Sequence, residues 1–164
     1  MATRLPLSDT EAMTQRVDLA TLMDRLAIDE LITRYAVAVD DADWAAYRGL
    51  FTTDGRADYR DAGGVAGRAG EVADWLAQTL RSFPVRQLLV VNRRVSIEDL
   101  GGYPGDSAEA LADYLRPMRT EAGDGSVSGG RYTFVLARTE GGWRLRTVVA
   151  HEKWRRARGA LSAE

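Results

Sequence analysis

"AIDELITRYAVAVDDADWAAYRGLFTTDGRADY", residues 27–59, decides how this chain is read. Apolar residues recur at three- and four-residue steps through Ile28, Leu31, Ile32, Tyr35 and Val39, the signature of a helix with one buried face. The run ends on Asp40, Asp41 and Asp43. A helix C-terminus carries partial negative charge, so a carboxylate there costs about 0.3–1 kcal/mol. Asp41 or Asp43 offsets that cost by capping the short helix expected over "DADWAAYRGLF", and the other can sit solvated in the turn. Asp40 is left over, at the edge of the apolar arc.

Upstream, Ser8 and Glu11 form a capping-box pattern, so a helix is expected to start near Asp9. Residues 1–20 read as a helical extension, with Leu22 and Leu26 continuing the apolar steps and a bend or break before Asp24. Downstream, "GRADYR" reads as a short strand and "GGVAGRAG" as a glycine-rich turn or hairpin, since its glycines fit no phosphate-loop pattern. "AGEVADWLAQTLRSF" reads as a third helix closed by Pro84.

From Pro84 the period becomes alternating. "VRQLLVVNRRVSIEDL" is a long strand, and "RYTFVLART" with "GGWRLRTVVAHEKW" a hairpin around "EGG". "SAEALADYLRPMRT" stays open: its alanines and leucines favour helix, its position and Pro117 a strand. Helices first and long strands after predict an α+β domain over residues 21–155. Its sheet is expected to be curved and mainly antiparallel, built largely from residues 85–155, with helices on the concave face. Residues 156–164 read as a polar tail.

The composition narrows the function classes. The 164 residues carry a formal net charge of −2 and are 45% hydrophobic, which suits one domain and gives no nucleic-acid footprint. With no cysteine and only His151, thiolate chemistry and histidine metal clusters are excluded, and no metal or cofactor is expected. No apolar run suits a signal peptide or membrane span, so a cytoplasmic protein with no membrane partner is expected.

The pattern Y-x4-D-x3-W-x6-F-x2-D, carried by Tyr35, Asp40, Trp44, Phe51 and Asp54, resembles the SnoaL-like branch of the nuclear transport factor 2-like superfamily. The likeness runs from about Leu22 to Trp154. Relatives include polyketide cyclases, scytalone dehydratase, bile-acid 7α-dehydratases and ketosteroid isomerases. The resemblance implies a cone-shaped α+β half-barrel with a deep, mostly apolar pocket. It also implies pocket roles for Tyr35 and Asp40, which match a bile-acid dehydratase pair, and for Tyr59, which matches an oxygen-binding tyrosine of scytalone dehydratase.

Strand parity adds candidates. Trp143, Leu145, Thr147, Val149 and His151 share one face of a regular strand, which would turn His151 inward as a proton carrier. Tyr114, Arg116 and Met118 share a face of the ambiguous segment, where Arg116 could steady an enolate or a carboxylate. Many family members carry a histidine early in the first long strand. Here Gln87 or Leu88 stands there, and Gln87 can orient an oxygen but carries no proton.

The expected activity is that of a cofactor-independent acid–base enzyme, a cyclase, isomerase or dehydratase of secondary metabolism acting on an apolar natural-product or polyketide-type molecule. Asp40, Tyr35 and His151 would be catalytic, and Tyr59, Gln87, Tyr114, Arg116 and Met118 would bind substrate. The alternative is a non-catalytic binding or dimeric scaffold module of the same fold. A homodimer is expected through an outer face bearing Arg144, Val148 and Ala150.

Overall fold

The computed structural model describes residues 9–158. Helix α1 (Asp9–Asp40) is followed by α2 (Trp44–Gly49), β1 (Phe51–Asp58), β2 (Ala66–Arg68) and α3 (Ala69–Thr79). The strands β3 (Val85–Arg86), β4 (Leu89–Asp99), β5 (Pro104–Arg119), β6 (Gly125–Thr139) and β7 (Gly142–Arg158) complete the chain. Single 3-10 turns lie at Arg60–Ala62 and Leu80–Ser82. Ser8, half of the expected capping box, lies outside the described residues, as do 1–7 and 159–164.

Seven strands form one sheet in the order β2-β1-β7-β6-β5-β3, with β4 also paired to β5. Every pairing is antiparallel except that of β1 with β7. The buried face of α1 (Ile28, Leu31, Ile32, Tyr35, Val39) packs with Val72 and Leu76 of α3 against Ala108, Ala110, Ala112, Phe134 and Leu136 of the sheet. The core therefore lies between the helices and the concave sheet face, as expected of an α+β cone.

Three local expectations change. Helix α1 runs unbroken past Asp24. Asp24 instead anchors the other end of the cone, accepting two bonds from Arg138 (2.8 and 2.7 Å) and one from Trp143 Nε1 (3.0 Å). The ambiguous segment is strand β5, whose alanines alternate inward, because burial against the helices outweighs intrinsic helix preference. Pro117 is tolerated where the β3–β4 edge is interrupted: Gln87 N–H donates to the Pro117 carbonyl, and proline returns no bond.

The third change concerns β7. Opposite Val135 and Leu136 stand Thr147 and Leu145, so Arg146 is an extra residue, a β-bulge. A second bulge falls at Lys153, between Trp154 and Glu152. The first resets the alternation. Trp143 and Leu145 face inward as expected, but beyond the bulge Val148 and Ala150 are buried and His151 is exposed. Val148 and Ala150 therefore belong to the core and not to an outer dimer face.

Candidate active site

The turn after α1 settles the three aspartates. Asp43 caps α2 by accepting the Ala46 N–H at 2.9 Å. Asp41 is exposed beside Ala42, whose φ of 55° makes the left-handed turn between the helices. Asp40 turns towards the sheet edge, where both carboxylate oxygens accept the Leu88 N–H, at 2.9 and 3.0 Å. The Leu88 amide points outward because its neighbour Gln87 makes the bond to β5. The Arg86 guanidinium reaches the Asp40 carbonyl (3.1 Å), placing positive charge at the end of α1. Burial holds the Asp40 carboxyl above its ordinary range, against the opposing pull of the Leu88 N–H, Arg86 and Arg116.

Inside the cone lies a cavity of about 230 Å³. Helix-side walls come from Tyr35, Val39, Trp75, Leu76, Leu80 and Phe83; sheet-side walls come from Tyr114, Arg116, Met118, Ser128, Tyr132 and Ala150. At one side Glu152 and Arg155 pair at 2.9 and 2.7 Å, and Arg155 also holds the Ala62 carbonyl (3.0 Å). A wider hollow of about 830 Å³ opens next to the cavity and contains Asp40, Arg86 and Gln87. Met118 lines both spaces, so Asp40 stands beyond Met118 from the inner cavity.

The polar groups of the inner cavity fall into two sets. Tyr59 joins Tyr35 (2.5 Å) and Tyr47 (2.8 Å), hydroxyl to hydroxyl. Run from Tyr47 through Tyr59 to Tyr35, each hydroxyl donates to the next, leaving the Tyr35 proton for Tyr132 or a cavity acceptor. Burial pushes Tyr35 and Tyr59 well above an ordinary tyrosine, so both stay neutral donors. The second set centres on Arg116, within electrostatic reach of Asp40, Tyr114 and Tyr132. The Arg116 guanidinium makes no hydrogen bond or ion pair with any described residue. The Tyr114 hydroxyl is buried and has no hydrogen-bond partner among the described residues.

The structure thus brings Tyr35, Tyr59, Tyr114, Arg116 and Met118 to one cavity, with Asp40 and Gln87 in the adjoining hollow. His151 does not line either space; the bulge at Arg146 gives its place to Glu152. Sequence reasoning missed Tyr47, Ser128, Tyr132, Glu152 and Arg155. The alternation Tyr132, Phe134, Leu136 would have found Tyr132, whereas no sequence signal marks the bulge. Among the described residues no three histidine, aspartate or glutamate side chains cluster as a metal cage requires. No described helix is long and apolar enough to cross a membrane.

A curved, open sheet wrapped around helices and one deep cavity defines the cone class of α+β proteins. The chain belongs to the family of SnoaL-like domains, whose model matches residues 20–149. An uncharacterized protein of Mycobacterium tuberculosis is 33% identical over 132 residues, covering 79% of this chain and 85% of its own. Among solved structures, a type 2 hexachlorocyclohexane dehydrochlorinase superposes with a TM-score of 0.74 at 18% identity, over 90% of this chain and 97% of its own. A nuclear transport factor 2-like protein of Novosphingobium aromaticivorans, with a cystatin-like fold, gives 0.68 at 24% identity, over 90% and 92%.

Proposed function

We propose that this protein is a cofactor-independent acid–base enzyme acting on a small, largely apolar molecule of natural-product or polyketide type. The observation that carries the reading is Arg116, whose side chain pairs with no described residue and lies within electrostatic reach of the Asp40 carboxylate and the hydroxyls of Tyr114 and Tyr132. Asp40, its carboxyl raised by burial, would take a proton from the substrate. Arg116 and the neutral hydroxyls of Tyr35 and Tyr132 would stabilise the negative charge that develops on oxygen. Because His151 faces outward, Asp40 itself would return the proton in an isomerisation, or keep it while a leaving group departs in an elimination. A cyclisation would use the same enolate as its nucleophile. The dehydrochlorinase on this fold is named for an elimination, which fits such a sequence.

Deuterium exchange at acidic C–H positions tests this without knowledge of the natural substrate. A panel of small cyclic ketones and enones in heavy water should include compounds that the protein exchanges well above the buffer rate. Asp40→Asn should reduce that exchange by about a hundredfold to ten-thousandfold. Exchange unaffected by Asp40→Asn would defeat the acid–base reading. The second reading, a non-catalytic binding module, is favoured by one observation: the Leu88 N–H already occupies both Asp40 oxygens. Binding without exchange anywhere in the panel would select it.

We also infer a homodimer through the outer sheet face. Leu89, Val91, Leu115 and Trp154 are 37%, 45%, 39% and 48% exposed. Leu89 and Leu115 are cross-strand partners, and Leu115, Gly129 and Trp154 continue the same row across the sheet. An apolar outer face of this kind favours association. Sedimentation at tens of micromolar should show a dimer, and Leu115→Glu a monomer; a wild-type monomer would defeat the inference.

A further inference from the structure

We infer that the ligand of the inner cavity is a small, mostly apolar carboxylate, one or two rings in size, held at its acid group by Arg116 and Tyr114. The inference rests on reading this cavity as the functional site, and it adds the chemical class of what enters.

The charge balance comes first. Three ionisable side chains with full charges line the cavity: Arg116, Glu152 and Arg155. Glu152 and Arg155 neutralise one another through two bonds. The Arg116 guanidinium has no such partner among the described residues. Asp40 lies within electrostatic reach, yet its oxygens are held by the Leu88 N–H on the far side of Met118 and form no ion pair with Arg116. A guanidinium facing a partly closed space lacks the solvation it would have in water, so a bound anion is the natural complement. Two parallel N–H groups suit a carboxylate better than a single oxygen.

The second observation is independent of charge. Tyr114 is 5% exposed, lines the same cavity, and its hydroxyl finds no partner. Leaving a buried hydroxyl without a bond is unfavourable, so the position is explained by an acceptor that arrives with the ligand. Ser128, 2% exposed and cross-strand partner of Arg116, adds a third polar side chain to the same wall. Opposite these groups stand Trp75, Leu76, Leu80 and Phe83, an apolar surface for the body of the molecule.

Size sets the remaining limit. The cavity of about 230 Å³ falls below the roughly 300–1,000 Å³ that encloses drug-sized ligands. One or two fused rings fit within it, and a longer molecule would have to pass Met118 into the outer hollow.

Calorimetric titration with 2-naphthoate and its uncharged isostere 2-naphthamide tests the assignment. The wild type should bind the carboxylate at least about tenfold more tightly, as a charge-assisted pair requires. Arg116→Gln should remove that preference by weakening naphthoate alone. Tyr114→Phe should weaken naphthoate by about threefold to tenfold. Unchanged thermal melts will show that both variants fold. Equal affinity for the two compounds, failure of both to bind at millimolar concentration, or a preference that survives Arg116→Gln would overturn the inference. None of these results touches the deuterium-exchange test of Asp40, so the two readings can fail separately.

Discussion

Asp40 and Leu88 are joined side chain to backbone, with both carboxylate oxygens on one amide at 2.9 and 3.0 Å. This contact ties the end of α1 to the interrupted edge between β3 and β4. Burial at this edge makes Asp40 sensitive to pH. Its carboxyl lies above the ordinary value of 3.8, chiefly through burial, so the folded state holds the proton more tightly than the unfolded state. The contribution to stability is therefore greatest below 3.8 and falls as pH rises through the raised folded value. Asparagine keeps an acceptor for Leu88 but has no charge to bury. Urea unfolding of Asp40→Asn from acid to neutral pH should lack this downward slope. Asp43→Asn, which leaves Asp40 in place, should keep the Asp40 contribution and show at most a small loss of capping stability.

Tyr59 and Tyr114 should respond oppositely to the same change. Tyr59→Phe removes the middle hydroxyl of a buried chain of three, leaving Tyr35 and Tyr47 without that partner, at a cost of about 1–3 kcal/mol. Tyr114→Phe removes a hydroxyl that has no partner, so its melting temperature should equal or exceed that of the wild type. A loss at Tyr114 as large as that at Tyr59 would mean that the free hydroxyl is bonded in solution.

Acid should weaken the end of the cone that Asp24 anchors. Hydrogen bonds from Arg138 are the main reason its pKa lies below 3.8. A depressed carboxylate contributes stability that is fully present above 3.8 and is lost as pH falls through the lower folded value. Asp24→Ala should cost about 1–3 kcal/mol at neutral pH, since Trp143 Nε1 and one side of Arg138 lose their acceptor. The same variant should lose less stability than the wild type on acidification. Denaturant midpoints at neutral and acid pH measure both effects.

Gly130 allows β7 to pass close to β6. A side chain there would collide with the His151 carbonyl and press on the Tyr114 ring. Gly130→Ala should destabilise the protein by about 1–3 kcal/mol, the usual cost of overpacking, as read by thermal melting. An unchanged melting temperature would show that the second bulge yields freely.

Local pattern made much of this legible. The three-and-four spacing of Ile28, Leu31, Ile32, Tyr35 and Val39 gave the buried face of α1, and parity on β5 placed Tyr114, Arg116 and Met118 on one wall. Capping chemistry narrowed the aspartates to the right pair, with Asp43 the cap. Helix preference conflicted with position at β5 and left that segment open; the small side chains of Ala108, Ala110 and Ala112 there serve close packing. Parity failed at His151 for a different reason. A bulge is a property of two paired strands, and the sequence of β7 by itself carries no sign of where its partner skips a residue.

The extra residue at Arg146 makes the wall chemistry of this cavity depend on strand register as well as on residue identity. Deleting that one codon would remove the bulge and leave Val148, Ala150 and Glu152 facing inward as they do now. Drawing Arg146 into regular pairing, with no residue lost, would instead exchange the two faces of everything that follows up to the second bulge, turning His151 towards the ligand and Glu152 away from it. Whether a carboxylate or an imidazole faces the ligand thus turns on one irregular pairing, without substituting any residue of the site.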